Sequence, residues 1–207
     1  MKNVSANKNK YEMDMCSGSL LPKILLYSLP LMLSGILQLL FNAADIVVVG
    51  RFAGNDALAA VGSTSSLINL LVNVFMGLSV GTNVMVARFY GAGQKKELEE
   101  MVHTAILTSI VSGVILIFVG LALSRPALLL MDTPENVIDQ SVLYIRIYFV
   151  GMPAMMLYNF GSAVLRAVGD TRRPLYFLMI AGVINVVLNL FFVISLSMGV
   201  AGVALAT

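Results

Sequence analysis

Long apolar blocks alternate with short polar breaks along this chain. Five of them reach the roughly 20 residues that a bilayer-spanning helix needs: residues 24–50, 58–87, 101–123, 142–165 and 175–198, called spans 1 to 5 below. A sixth, span 6, begins at Gly199, and the chain is expected to stop inside it, at Thr207. Backbone polar groups in lipid must be paired within their own segment, so such blocks are helices; strands would have to close into a barrel and would alternate in polarity. The expected fold is all-α: a polytopic membrane helix bundle of five complete transmembrane helices plus the start of a sixth. Span 1 is too long for the apolar region of a signal peptide, and no small-residue cleavage site follows a short apolar stretch, so it is expected to remain in the mature protein.

The polar breaks are short. Residues 1–19 are rich in Asn, Lys and Ser without apolar periodicity and predict a flexible cytoplasmic tail; residues 20–207 predict one membrane domain. Residues 90–100 (YGAGQKKELEE) predict a glycine turn leading into span 3. Before span 4, MDTPENV offers Thr133 as a cap and Pro134 at the first helical position. A faint echo, Asn42 with Ala57-Leu58-Ala59 and Asn189 with Ala204-Leu205-Ala206, is too slight to establish a repeat.

Charge orders the blocks. Hydrophobic residues make up 58% of the chain and charged residues 12%, with a mean hydropathy of +0.90, which is not the balance of a soluble domain. The formal net charge is only +2, and what matters is where the cations stand. Lys2, Lys8, Lys10 and Lys23 precede span 1; Arg88, Lys95 and Lys96 lie between spans 2 and 3; Arg166, Arg172 and Arg173 lie between spans 4 and 5. The opposite breaks hold only Arg51 and Arg125, with Arg146 expected just inside the start of span 4. The positive-inside rule then puts the N-terminus and the even-numbered loops in the cytoplasm.

Chemistry belongs where polarity is costly. Asp45 sits in an apolar stretch, where a carboxylate at a helix centre costs about 2.5–3.5 kcal/mol on translocon scales. Either it faces a water-filled cavity and binds a proton, a metal cation such as Na⁺ or a cationic substrate, or it stays hydrated near the membrane surface, little more than a turn from Gly50 and Arg51. Asn185 and Asn189 in span 5 are four residues apart and share a face. Their amide oxygens can complete a hard-cation shell around a carboxylate, or the pair can serve as hydrogen-bonding glue between helices. Span 2 carries Ser66, Asn69, Asn73, Gly77 and Gly81 as a stripe of small and polar residues, read here as a packing surface. Span 4 presents Tyr144, Tyr148, Gly151, Met155 and Ser162, with Tyr158 and Asn159 at the edge. That face suits organic cations through cation–π attraction and adaptable thioethers, although Tyr144 also fits an interfacial aromatic belt.

Enzyme chemistry finds little support. The lone Cys16 can form no intrachain disulfide, and His103, the single histidine, stands at the start of span 3. Gly91-Ala92-Gly93-Gln94-Lys95 lacks the spacing of a phosphate loop, and neither a GxSxG elbow nor an HExxH motif occurs.

The order of landmarks resembles the N-terminal lobe of MATE (multidrug and toxic compound extrusion) transporters over nearly all of residues 20–207. They are Pro30 in span 1; Asp45 followed by Val49-Gly50-Arg51; the turn from Gly54 to Gly62 (GNDALAAVG); Gly81-Thr82-Asn83 leading to Tyr90-Gly91-Ala92-Gly93; Leu165 to Pro174 (LRAVGDTRRP); and Gly199 to Thr207 (GVAGVALAT). The resemblance implies a twelve-helix protein of two six-helix lobes in the plasma (inner) membrane, exchanging cationic or amphiphilic compounds for Na⁺ or H⁺ by alternating access, with no other cofactor. It implies that Asp45 is the helix 1 carboxylate of a cation site, that Asn185 and Thr207 are its amide and hydroxyl, and that Tyr144 is the helix 4 tyrosine. Asn189 stands where some members carry a second acid. The partners implied are the lipid bilayer, small organic cations and a missing C-terminal lobe, with no nucleic acid. Two rival readings are a lipid-linked sugar or polysaccharide flippase of the same superfamily, which would be expected to hold cations rather than an acid in its cavity, and a non-transporting membrane assembly subunit.

Overall fold

The computed structural model of the chain describes residues 19–207. The expected tail, with Cys16, Lys2, Lys8 and Lys10, therefore lies outside the described residues apart from Ser19. Among the described residues the regular elements are all helical. Helix α1 (Leu20–Val48) runs into a π-helical turn, Val49–Ala53; α2 (Asn55–Gly91) and α3 (Lys95–Leu130) follow; α4 (Glu135–Val150) and α5 (Met152–Ala167) adjoin; α6 (Arg172–Leu190) runs into a second π-helical turn, Phe191–Ser195; and α7 (Gly199–Ala206) closes the order. Four of these helical runs are long and apolar enough to cross a membrane, and the bent pair α4–α5, counted as one span, makes a fifth, which matches the five predicted complete spans.

The helices overrun the predicted apolar blocks. With 37 and 36 residues, α2 and α3 are each about 55 Å long, well beyond the ~30 Å hydrocarbon core. Their connecting turn thus projects past the apolar zone together with Arg88, Lys95 and Lys96. Gly93 closes it at φ +69°, donating to Tyr90 O at 3.1 Å, while Gln94 N reaches Phe89 O at 3.0 Å.

Span 4 departs from expectation in four ways. It starts at Glu135, so Arg146 lies well inside it rather than just past its start. Pro134 flanks the first turn instead of occupying it, because its ψ of 142° is extended; its carbonyl opens the helix by accepting from Val137 N and Ile138 N at 3.0 Å. Thr133 caps nothing, and its buried hydroxyl has no hydrogen-bond partner among the described residues. Finally, the span is bent by 50° between α4 and α5. Pro153 has no N–H to give Phe149 and its ring crowds that carbonyl, which breaks the ladder at Gly151. The chain there tightens into a bond from Gly151 N to Tyr148 O, 3.1 Å.

Helices α2 to α5 pack as one bundle, α1 pairs with α6, and α7 lies against α4 and both π-helical turns. Gly182 of α6 admits the Phe41 ring of α1, and Gly113 of α3 lies against the backbone of Pro153; a Cβ at either position would collide with that neighbour. The α1–α6 arm joins the bundle at both ends. At one end the first π-helical turn packs on α2 and α7; at the other, Tyr27 Oη donates to Arg166 O at 3.0 Å. The α5–α6 turn is held by Asp170, 1% exposed, whose Oδ1 accepts from Arg172 N and Arg173 N at 3.1 Å and whose Oδ2 lies 3.1 Å from Arg173 Nε. A carboxylate at the positive end of α6 is favourably placed.

The span 2 stripe packs against no other helix among the described residues. Ser66, Asn69, Asn73, Gly77 and Gly81 are all exposed, and a Cβ on Gly77 or Gly81 would meet nothing within 4 Å. Helix α2 instead buries Ala57, Ala60, Val61, Thr64, Ile68 and Val72, a row at helical spacing whose larger apolar side chains remove more surface from water than glycines can.

Candidate cation site

Asp45 lies one turn before the end of α1, on the side facing α6. Asn189 Nδ2 donates to its Oδ1. Phe41, one turn earlier on α1, sits on Gly182, two turns before Asn189 on α6, so the close approach of the two helices sets the register of the pair. Both chains then widen: Val49 N donates to both Asp45 O and Ile46 O as the first π-helical turn begins, and the second begins two residues after Asn189. Such turns are frequent at functional sites. Nothing in the apolar pattern marked them, because a π-helical turn preserves hydrophobicity and changes only the phase.

The second asparagine reaches another helix. Asn185 Nδ2 donates to Ala206 O at 3.3 Å and approaches Thr207 Oγ1 at 3.5 Å, and that hydroxyl in turn donates to Val203 O at 2.9 Å. The sequence reading did not include Ala206 O as a partner of Asn185. Asn185 also lies against the Asp45 carboxylate. Helices α1, α6 and α7 therefore bring Asp45, Asn185, Asn189 and Thr207 together.

The orientation of the two amides leaves a chemical vacancy in their bonding. An ionised carboxylate only accepts, so the Asn189 NH₂ must face Asp45 and its carbonyl oxygen must turn away. Asn189 Oδ1 and Asn185 Oδ1 are both buried, and neither has a hydrogen-bond partner among the described residues. A buried unsatisfied polar atom costs about 1–3 kcal/mol. Two neutral oxygens beside one carboxylate are donors of the kind a hard cation takes, and a single negative charge balances one monovalent ion. Asp45, Asn185, Asn189 and Thr207 all present oxygens, so the donor set they form is oxygen-based.

Tyr144 lies on the neighbouring wall. At 7% exposure it is buried, so it belongs to the interior and not to an interfacial belt. Its ring stacks on Tyr148 with centroids 6.0 Å apart, Tyr148 Oη donates to Met155 Sδ at 3.8 Å, and both phenols are within electrostatic reach of Asp45. Ser63 and Ser141, absent from the sequence reading, join α2 to α4 through hydroxyls 3.3 Å apart.

Comparison with known proteins gives this geometry its context. The family model MatE matches residues 30–191. The probable multidrug resistance protein YoeA of Bacillus subtilis is 36% identical over 186 residues, 88% of this chain and 40% of its own length. The solved outward-facing conformation of a multidrug resistance MATE family transporter of the MOP superfamily superposes with a TM-score of 0.84 at 28% identity, covering 89% of this chain and 41% of that one. The inward-facing conformation of a multidrug resistance MATE transporter scores 0.75 at 27% identity, covering 89% and 42%. The chain thus spans about 40% of the length of the relatives it matches. On the family match and the shared helical architecture, the chain belongs to the MATE family of multi-pass membrane transporters.

Proposed function

We propose that these residues form the cation-binding lobe of a multidrug efflux antiporter, which exports cationic or amphiphilic compounds in exchange for Na⁺ or H⁺ across the plasma membrane. The observation that carries this reading is the pair of buried, unpartnered amide oxygens, Asn185 Oδ1 and Asn189 Oδ1, beside the Asp45 carboxylate. Na⁺ would take those oxygens, Asp45 and the Thr207 hydroxyl; a proton would neutralise Asp45 and let the Asn189 amide turn over to accept from it. Because cation and drug favour different conformations, binding of one is linked to release of the other. Alternating access needs a second set of helices facing this one, consistent with the greater length of the relatives. The single acid, in place of buried cations, favours antiport over transport of an anionic lipid-linked sugar.

The test is thermal unfolding of the purified chain in detergent, with NaCl against choline chloride at equal ionic strength. Na⁺ at about 100 times its dissociation constant should stabilise the wild type by about 2.7 kcal/mol and leave Asp45→Asn unmoved. Equal stabilisation of both would remove Asp45 from the site; no Na⁺ effect on the wild type would leave the proton as coupling ion.

A further inference from the structure

The break between spans 4 and 5, LRAVGDTRRP, folds into a joint that the cation site does not use. Helix α5 ends on Gly169 at φ +88°, with Gly169 N donating to Arg166 O at 3.1 Å and Asp170 N to Leu165 O at 2.9 Å, the paired bonds of a glycine-terminated helix. Asp170 is buried and ties this turn to the start of α6 through Arg172 N, Arg173 N and Arg173 Nε. Tyr158 of α5 adds a further tie, its Oη donating to Pro174 O at 3.1 Å. The start of α6 is thereby fixed on the end of α5.

A bond from far along the chain meets this joint. A carbonyl oxygen has two lone pairs, and Arg166 O, already bonded to Gly169 N, also accepts from Tyr27 Oη of α1 at 3.0 Å. Helix α1 is held differently at its other end, where Val48 and Val49 are buried and the π-helical turn packs on α2 and α7. Between the two ends α1 pairs with α6 rather than with α2–α5, and none of its most apolar 18-residue stretch is buried among the described residues. Burial of several apolar side chains outweighs one hydrogen bond. When α1 parts from the bundle, it therefore gives way first at Tyr27 and pivots at the π-helical turn.

We propose that Tyr27 is a latch on Arg166 O that closes the basic end of the cleft between α1 and the α2–α5 bundle, and that Asp170 positions that carbonyl by fixing the α5–α6 joint. The positive-inside rule assigns this end to the cytoplasm, so release of the latch opens the cleft from the side on which compounds for export are met. Asp45 lies eighteen residues, or about 27 Å, further along α1, and the latch stands whichever ion that site takes. Only its link to export rests on the antiport reading above.

The experiment is double electron–electron resonance on the purified chain in phospholipid nanodiscs, in a Cys16→Ser background. One pair of spin labels, on Leu21→Cys of α1 and Ala87→Cys of α2, spans the basic end. A second pair, on Val47→Cys and Glu135→Cys, spans the other end, and all four positions are exposed. In the wild type the basic-end pair should give one dominant distance with a minor longer one. Tyr27→Phe removes a single oxygen and should raise the longer population relative to the shorter about fivefold, the contribution of one hydrogen bond, with the second pair unmoved. Asp170→Asn keeps an acceptor but loses the charge facing Arg173, and should raise the same population. Combined with Tyr27→Phe it should add little, because both act on one bond. An unchanged basic-end distribution in Tyr27→Phe would overturn the latch, as would equal broadening of both pairs, which a general loosening of the fold produces. Full additivity in the double variant would overturn the positioning role of Asp170. Should Asp170→Asn fail to fold by circular dichroism, Asp170→Glu, which keeps the charge on a longer stem, takes its place in that comparison.

Discussion

Asp45 and Asn189 are 144 residues apart and joined by one hydrogen bond, and that bond decides what the asparagine can do. With its NH₂ committed to the carboxylate, Asn189 can offer a ligand only through its oxygen, and it does so from a completely buried position. Asp45→Asn keeps the shape and one carbonyl oxygen but removes the charge that orients the neighbour. In an intact transporter containing this lobe, the substitution should abolish efflux of a fluorescent cation from vesicles under an imposed Na⁺ or H⁺ gradient while leaving insertion intact. Wild-type rates under both gradients, at matched protein levels, would leave Asn185 and Asn189 to act without it. A polar residue within an apolar block is legible as a candidate from sequence, because its burial is expensive. Which neighbour satisfies it is not, since Asn185 and Asn189 share a face yet reach different helices, α7 and α1.

Between helices, approach distance is set by what a glycine leaves out. Gly182→Ala would push a methyl into the Phe41 ring and Gly113→Ala would push one into the Pro153 backbone. A partly exposed ring can turn aside, whereas backbone at a helix break cannot, so the two substitutions should differ. Gly182→Ala should destabilise by about 1 kcal/mol and Gly113→Ala by about 3 kcal/mol, the range typical of overpacking, read as loss of stability on thermal unfolding in detergent. The reverse order would mean that α1–α6 contact is the more rigid of the two. Sequence reading placed the small-residue seam on α2 at Gly77 and Gly81, where the structure has open surface. Spacing identifies a stripe that could pack but does not say which of two stripes on one helix meets a neighbour. The break in span 4 was within reach, because Gly151 and Pro153 carry its cause; a purely hydropathic reading passes over it since both halves are apolar.

For the molecule as a whole, the arrangement of cations predicts the orientation. Arg88, Lys95 and Lys96 stand at the α2–α3 turn and Arg166, Arg172 and Arg173 at the α5–α6 turn, with Lys23 near the start of α1, so the positive-inside rule assigns that side to the cytoplasm. Reporter fusions after Lys96 and Arg173 should read as inside and those after Asp56 and Glu135 as outside; inversion at two of the four would reject the orientation. The number of spans, their helical nature and the side bearing the cations all follow from sequence, because lipid imposes one-dimensional constraints: length, apolarity and the charge of each break. Lipid is equally apolar on every side of a helix, however, so it leaves undetermined which face each helix turns to its neighbours. That was decided by tertiary packing, in which Gly182 let α1 lie on α6, Pro153 bent α4 away from α5, and the π-helical turns after Asp45 and Asn189 brought both onto α7. The residues of the candidate site were therefore recognisable along the chain, while their pairing, and the two amide oxygens left open by it, existed only once three helices had met.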